Sequence, residues 1–392
     1  MNYKYFLLPL LLTALLFSSC RKTEYAELNS PAYLRVFNCL EFVPTLNNKD
    51  VPQPFLAFLV DPVMDDYGVP LSAAITGDFL QRRADWARPY PDAASNVLWQ
   101  NEYPGTKRVL AAPIVNGYDL SSWAQVPSGK HRIVFRTRPL NNTPYFELEK
   151  AERGITLIDT TINLAAGEVY TMHALLEEYT SQRPMMYLRN ETFPKQPFAD
   201  SLVYVNFYNL SADNFFTKGP DVLPNVDLSN TKLRDTMNVY YTLGKQANSI
   251  LTPLPGYRGI PMGQITHSLQ PTVAPYYSFP LFPDSSSNKI FTGNMCQVFG
   301  FYAPGLSPDN LTYPGFVAVG AYSAVIMGDY GSIGRNAYYP FNVKCDLRTG
   351  LVVSIHSGTT NPRSFATVNT VEYINRRFYI TTVQRKFAPP VY

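Results

Sequence analysis

The sequence has little charge for its length. Charged residues make up 16% of the 392 residues, against about 25% in an average soluble protein, so uncharged polar groups and tyrosine must cover much of the surface. The formal net charge is only +3 and is spread along the chain. Nucleic-acid binding is therefore excluded, because it needs a concentrated basic face. The composition is typical of an extracytoplasmic protein.

Signatures of catalysis are also missing. The histidines His131, His173, His267 and His356 lie far apart in the sequence. The segment Tyr330-Gly331-Ser332-Ile333-Gly334 lacks the first glycine of a nucleophile elbow, and neither a phosphate-binding loop nor a metalloprotease helix motif is present. The sequence therefore predicts a protein that is not an enzyme and that carries no cofactor.

Cysteine is rare, with four in the chain: Cys20, Cys39, Cys296 and Cys345. No Cys-x-x-Cys or His-x-x-x-His spacing occurs, so no metal site is predicted. Once Cys20 is set aside, three remain and cannot all pair. A disulfide between Cys296 and Cys345 and a set of buried free thiols are both open alternatives.

The long apolar run is confined to the beginning of the chain. Residues 6–17 are almost all apolar, follow Lys4 and end at Ser18-Ser19-Cys20. The run is too short to cross about 30 Å of hydrocarbon, so residues 1–19 are predicted to be a signal peptide. The pattern resembles the signal of bacterial lipoproteins of the Bacteroidota, with Cys20 as the lipidated residue and residues 20–30 as a tether. An ordinary cleaved signal is the alternative.

The lipoprotein signal implies attachment to a membrane through a lipid anchor. It places the protein at the outer membrane, on its periplasmic or its surface face.

Proline and aromatic residues are abundant, with 33 Pro, 28 Tyr and 24 Phe. Proline interrupts helices and aromatic side chains suit pleated surfaces, so the fold class is predicted to be all-β. Short strands separated by loops rich in Pro and Gly indicate immunoglobulin-like antiparallel β-sandwiches.

The strand patterns occur twice. Residues 33–38 and 204–209 alternate in the same way, with Tyr at the start and Asn at the end of both. Further matches predict a second apolar strand (55–60 and 237–243), a strand introduced by Gly129 or Gly350, and a hairpin (162–170 and 371–379). We expect a first domain over residues 31–192 and a second over residues 200–392, joined by a linker containing Pro194 and Pro197.

Two turns carry a resemblance to a known family. Val126-Pro127-Ser128-Gly129 precedes an alternating strand, and Gly167-Glu168-Val169-Tyr170-Thr171 follows it. They resemble the Val-Pro-Ala-Gly and Gly-x-x-Tyr-Thr turns of a tandem domain of unknown function in bacterial cell-surface lipoproteins. That family has no established catalytic residues, so the resemblance implies none here. The second half has Leu347-Arg348-Thr349-Gly350 in place of the first turn, and is either a drifted copy or a different sandwich.

Aromatic residues in loops are the candidates for ligand binding, because flat rings stack on the apolar faces of sugars while nearby polar groups bond the hydroxyls. Trp123 is expected in the core instead. For Trp86 and Trp99, packing under a long loop is the alternative. The candidates are Trp86, Tyr90, Trp99, Tyr103, Tyr276, Tyr277, Tyr338 and Tyr339.

Three Asp-(Ser/Thr) tripeptides are similar to the O-glycosylation signal of exported Bacteroidota proteins, and predict modification at Thr160, Ser201 and Thr236. The alternative is that each is an ordinary turn leading into a strand.

Taken together, the residues favour a non-catalytic outer-membrane or surface lipoprotein that binds a glycan, a protein or an envelope component through loop aromatics. The alternative is a structural or adhesive module of a surface assembly. A hydrolase is the least favoured function.

Overall fold

The computed structural model describes residues 28–40, 55–81, 83, 102–105, 107–199, 202–216, 234–247, 250–280, 295–308, 322–328, 350–354, 364–374 and 377–386. These residues form strands joined by turns and a few short 3₁₀ helices, which confirms the predicted all-β class. The 3₁₀ helices span Tyr145–Glu147, Lys150–Glu152 and Phe193–Lys195. Within the described ranges, no helix has the length and apolarity needed to cross a bilayer.

The first unit runs from the first strand to the 3₁₀ helix at Phe193–Lys195. Its strands are β1 (Ala32–Asn38), β2 (Leu56–Val60), β3 (Val63–Met64), β4 (Pro70–Ser72), β5 (Ile75–Phe79), β6 (Glu102–Tyr103), β7 (Ile114–Val115), β8 (Tyr118–Asp119), β9 (Ala124–Val126), β10 (Gly129–Thr137), β11 (Thr156–Leu164), β12 (Val169–Glu178) and β13 (Arg183–Asn190).

The second unit follows. Its strands are β14 (Leu202–Asn209), β15 (Thr236–Ala247), β16 (Ile250–Pro253), β17 (Ile260–Thr266), β18 (Tyr277–Pro280), β19 (Met295–Tyr302), β20 (Tyr322–Gly328), β21 (Gly350–Ser354), β22 (Ser364–Ile374) and β23 (Arg377–Lys386).

Two sheets face each other in the first unit. Sheet A has the order β13-β12-β1-β6, with β9 also paired to β1, and sheet B has the order β11-β10-β2-β5. Strand β11 alternates between exposed and buried positions, as expected of an edge strand with one face on a core. Strand β12 is buried over most of its length, because it lies between β1 and β13 and meets the second unit.

The second unit repeats this strand order. Sheet C has the order β18-β14-β22-β23-β8-β7, and sheet D has the order β16-β15-β19-β20-β21, with β17 also paired to β15. The first strand of each unit pairs in parallel with a strand near the unit's end, β1 with β12 and β14 with β22. Each of those two strands then forms an antiparallel hairpin with the next, β13 or β23. Most other pairs are antiparallel; β20 with β21 is parallel.

Two of the equivalences expected from the sequence are wrong. Strands β11 and β12 do not form a hairpin, because β11 pairs with β10 in sheet B while β12 pairs with β1 and β13 in sheet A. The hairpin that corresponds to β22 with β23 is therefore β12 with β13. The strand introduced by Gly350 is also not the counterpart of β10, since it adds in parallel to β20. By its place beside β15, the counterpart of β10 is β19.

The two units pack side by side through a shared apolar interface. Phe37, Leu175 and Tyr187 of the first unit form one buried cluster with residues of β14, β22 and β23. A second cluster joins Trp123 and Phe193 to Val368 and Val383. Phe193 belongs to the predicted linker but is buried against Trp123, with ring centroids 6.1 Å apart.

A buried set of charges lies inside this interface. The carboxylate of Glu372 on β22 accepts from Arg83 Nη1 at 3.0 Å and from Arg189 Nη1 at 2.9 Å. Arg189 also donates to Glu191 at 2.9 and 3.0 Å, so two arginines face two carboxylates. His173 Nε2 lies 3.1 Å from Glu372 Oε1. These charges tie β12 and β13 of one unit to β22 of the other; we call them the interface charge cluster.

The first unit also extends the second unit's sheet. The β7–β8 hairpin lies at the edge of sheet C, where Tyr118 pairs with Arg385 of β23. The guanidinium of Arg385 lies 5.5 Å from the Tyr118 ring centroid and donates to the carbonyl of Phe198 at 2.8 Å. The edge of β23 is thus covered by the protein's own chain, which removes a site for unwanted strand pairing.

Candidate binding cleft in the second unit

A cleft of about 170 Å³ opens between the end of β14 and the segment that follows β17. Its polar lining consists of Asn209, Gln264, Thr266, Ser268, Gln270 and Thr272. The rest of the lining consists of Phe207, Tyr208, Ile265, Ala274, Pro275 and Tyr277. The cleft therefore combines amides and hydroxyls with two tyrosines.

Asn209 and Tyr208 hold the loop that forms one wall of the cleft. The carbonyl of Asn209 accepts from the N–H of Ser268 at 3.2 Å, and its side-chain amide donates to the carbonyl of Asp235 at 2.9 Å. Further along the loop, the N–H of Ala274 donates to the Tyr208 hydroxyl at 3.2 Å. The loop is fixed at both ends, so the wall is preorganised for binding.

Tyr277 forms the aromatic part of the cleft. It pairs with Val205 at the first position of β18, and its ring packs against Phe207 with centroids 5.8 Å apart. Its hydroxyl lies over Gly263, where an added Cβ would stand 2.8 Å from that oxygen. Gly263 also has a φ of +135°, a backbone conformation that side chains rarely adopt. The glycine therefore makes room for the ring.

Burial governs the electrostatics around the cleft. It raises the pKa of Tyr208, which Arg189 opposes from the other side of the ring, so this hydroxyl stays protonated at neutral pH. His267 lies beside the lining and its Nε2 is 2.8 Å from Asp213 Oδ1. Its other ring nitrogen, Nδ1, is buried with no hydrogen-bond partner among the described residues. None of the described residues that line the cleft carries a charge.

The structure separates the candidate tyrosines. Tyr277 lines the cleft, whereas its neighbour Tyr276 faces the interface between the units, in edge-to-face contact with Phe198 at 5.1 Å. Tyr103 lies in the core of the first unit with 2% of its surface exposed, and packs against Phe58. A ring buried in this way is not available to stack on a ligand.

Several candidates lie outside the described residues: Cys20, Trp86, Tyr90, Trp99, Ser201, Tyr338, Tyr339 and Cys345. The backbone of Cys296 lies on β19, but the predicted bridge to Cys345 falls outside the described part of the chain. Cys39 is a buried free thiol, and burial raises its pKa to about 11. Trp123 is fully buried, as expected.

The two described O-glycosylation candidates differ in placement. Thr236 is the first residue of β15 and is partly exposed, as the sequence predicts. Thr160 does not lie beside a strand start. It is in the middle of β11, partly buried, on the face that also carries Ile158 and Ile162, where a sugar would have to compete with core packing.

The described histidines have structural partners. His131 is held by Asp61 at 2.6 Å through one ring nitrogen and by the carbonyl of Pro127 at 2.9 Å through the other. Burial lowers the pKa of His173, against the attraction of Glu372, and this ring is enclosed in the interface. In the part of the chain that the structure covers, no group of three or more His, Cys, Asp or Glu residues could hold a metal ion.

Sequence reasoning missed the polar half of the cleft. Gln264, Gln270 and Asn209 were not singled out, because amides carry no motif of their own. A usable signal was the isolated Gly263 within an otherwise strand-like stretch, since such a glycine marks a close approach by another group.

No family model matches the chain and no curated protein matches it, so the resemblance to the tandem lipoprotein family stays a prediction that depends on the two turns. Solved structures do match. One, described as "a putative cell adhesion protein from Bacteroides ovatus", is 10% identical and covers 92% of this chain and 100% of its own, with a TM-score of 0.19. Another, with the same description from Bacteroides uniformis, is 10% identical, with 91% and 99% covered and a TM-score of 0.16. At such TM-scores neither likeness supports a conclusion about function.

Proposed function

We propose that the protein is a non-catalytic surface lipoprotein whose second unit binds a glycan in the cleft beside Tyr277. The observation that carries this proposal is the composition of the cleft. An aromatic ring suited to stacking on a sugar lies among amides and hydroxyls, which both donate and accept hydrogen bonds. Such a set matches the alternating donors and acceptors of sugar hydroxyls.

The direction of strands β1, β12 and β14 supports a position of the cleft at the end of the molecule away from the membrane. A lipid on Cys20 would hold the end of the molecule where β1 begins, beside Glu168, whose carbonyl accepts from the N–H of Tyr33 at 2.9 Å. The other end of β12 reaches Asp213, which follows β14 and bridges to Glu178 in parallel. The end of β14, where the cleft opens, therefore lies far from the start of β1.

Binding is tested on a glycan array with the mature chain, residues 21–392. We expect the wild type to bind a subset of glycans and the Tyr277→Ala variant to lose that binding. Binding that is unchanged in Tyr277→Ala, or no binding to any glycan, would contradict the proposal. A Tyr67→Ala variant is a matched control, because Tyr67 is 93% exposed on the turn between β3 and β4 of the first unit.

Anchoring is tested separately by fractionating the host. The Cys20→Ala variant should move from the membrane fraction to the soluble fraction, because it has no thiol to carry the lipid. Continued attachment to the membrane would contradict the lipoprotein assignment without affecting the cleft.

A structural or adhesive module is the second candidate, and the interface favours it. The interface charge cluster and the cover of β23 by β7 and β8 join the units into a stiff body, which suits a load-bearing component. In that case a surface partner protein would be captured in pull-down experiments equally by the wild type and by Tyr277→Ala.

A further inference from the structure

We propose that the cleft selects an uncharged sugar unit and rejects acidic sugars such as uronic acids. This inference depends on the proposed glycan binding and names the class of glycan. The part of the lining that the structure describes contains no Asp, Glu, Lys, Arg or His. A carboxylate that enters a partly enclosed site loses hydration, and only a cation or a set of free N–H donors offsets that loss.

Two basic groups beside the cleft are already committed. Arg189 lies 4.5 Å from the centroid of the Tyr208 ring, but it is buried behind that ring and bound to Glu372 and Glu191. His267 is bound to Asp213. Neither group can turn toward a ligand without leaving a buried or paired acid behind.

Four backbone donors of the loop are committed as well. The N–H of Ser268 donates to the carbonyl of Asn209, and that of Thr272 donates to the carbonyl of Gln270. The N–H of Gln270 donates to Ser268 Oγ at 3.2 Å, and that of Ala274 donates to Tyr208. Because these donors are used, the loop does not form the cluster of free N–H groups by which backbone binds anions.

The exposed side chains that remain suit hydroxyl groups. Gln264 donates through Nε2 to Asn238 Oδ1 at 2.8 Å, which leaves its Oε1 to accept from a ligand. Gln270 and Thr272 are exposed at the rim and offer both donors and acceptors. The cavity of about 170 Å³ is smaller than the ~300–1,000 Å³ of pockets for drug-sized ligands, so it fits about one sugar ring of a longer chain.

The inference is tested by native gel electrophoresis of residues 21–392 in gels that contain a dissolved polysaccharide. The neutral probes are dextran, mannan and galactomannan, and the acidic probes are polygalacturonate and hyaluronan. We expect a neutral polymer to retard the wild type and Tyr67→Ala, and Tyr277→Ala to bind it about tenfold more weakly because the stacking contact is lost. The dissociation constant should change less than about twofold between about 20 mM and 500 mM salt, because no ion pair forms.

The possible outcomes distinguish a failure of the neutral-sugar inference from a failure of glycan binding itself. If only acidic polymers retard the protein, and Tyr277→Ala abolishes that effect, the cleft is a glycan site but its neutrality is refuted. If retardation does not depend on Tyr277, or if no probe retards the wild type, the assignment of glycan binding to the cleft is refuted as well.

Discussion

Tyr103 in the first unit and Tyr277 in the second both lie on a strand beside the first strand of their unit, two register positions apart, and they have opposite environments. Each lies on a strand that pairs with the first strand of its unit, at Val36 for Tyr103 and at Val205 for Tyr277. Each ring also covers a glycine on a strand of the facing sheet, Gly77 or Gly263. Tyr103 is enclosed in the core, whereas Tyr277 faces an open cleft.

The comparison shows how two units with the same strand order in one sheet can differ in the space left beside a tyrosine. In the first unit β6 and the ring of Tyr103 complete the core against Phe58. In the second unit the segment from Ser268 to Ala274 is bound to Asn209 and Tyr208 at the end of β14, and a cleft remains beside Tyr277. The loop, and not the sheet, accounts for the difference, in keeping with the role of loops as carriers of function.

The sharpest test of this comparison is to remove each ring. Tyr103→Ala should lower the free energy of unfolding by about 3–5 kcal/mol, because it leaves a cavity in a packed core. Tyr277→Ala should cost less than about 1.5 kcal/mol, because its ring is only partly buried. Urea unfolding of residues 21–392 measures both, and equal losses would contradict the assignment of one filled and one open site.

The comparison also depends on a fixed arrangement of the two units, which the interface charge cluster stabilises. Glu372→Gln leaves Arg83 and Arg189 facing a single acid, Glu191, and should cost about 3–5 kcal/mol, as is usual when one partner of a buried ion pair is removed. Arg83→Met combined with Glu372→Gln restores the balance of charge.

The double variant should therefore be more stable than Glu372→Gln alone. Both variants are compared by the midpoint of urea unfolding. A loss below about 1 kcal/mol for the single variant would show that the cluster does not hold the units together.

Acid should loosen the same interface. Burial raises the pKa of Glu372, but the attraction of His173, Arg189 and Arg83 outweighs it and holds that pKa well below its usual value, while burial lowers the pKa of His173. Below about pH 6.5 for the histidine and about pH 4.5 for the glutamate, the unfolded chain therefore binds protons that the folded chain does not. Stability should fall with decreasing pH by up to about 1.4 kcal/mol per pH unit for each proton.

The contribution of His173 is measured separately with a His173→Asn variant, whose stability should begin to fall only near about pH 5. Thermal unfolding at a series of pH values measures it. A wild-type stability that is constant from neutral pH to about pH 4 would contradict the description of the interface.

The smallest expected losses of stability come from replacing the glycines that the two tyrosine rings cover, Gly263 and Gly77. Gly263→Ala should cost about 1–3 kcal/mol, because it strains a backbone with φ of +135° and displaces the Tyr277 hydroxyl. Gly77→Ala should cost less than about 1 kcal/mol, since its added Cβ meets the Tyr103 ring at an ordinary 3.4 Å. The pair is compared by unfolding and by glycan binding, and only Gly263→Ala should reduce binding.

The sequence predicted the all-β class and many individual strands. Alternation along β11 follows from one-sided burial, but β1 and β14, which were expected to be half-buried, are buried on both faces over most of their length, because each is covered by a sheet of its own unit and by the other unit. The sequence did not predict which strands pair. The turn at Ala165-Ala166-Gly167 has the composition of a hairpin, but it joins strands of two different sheets, and only the packing of sheet A on sheet B decides between the two outcomes.

The sequence predicted only part of the candidate site, because a local pattern does not encode a tertiary contact. Both Tyr277 and Tyr103 are expected from the sequence as loop aromatics, but Tyr277 begins β18 and Tyr103 lies on β6, where it is buried. The amides of Gln264 and Gln270 become a site only when β17 and the loop after it meet the end of β14. That meeting is a tertiary contact, and no local pattern encodes it.

The most direct test of the central claim is a crystal structure of residues 21–392 with an oligosaccharide from a neutral polymer that the protein binds. We expect one sugar ring against Tyr277, with its hydroxyls bonded to Gln264 and Gln270, and no sugar beside Tyr103. A sugar bound elsewhere, or a second unit in which Tyr277 is enclosed as Tyr103 is, would contradict it.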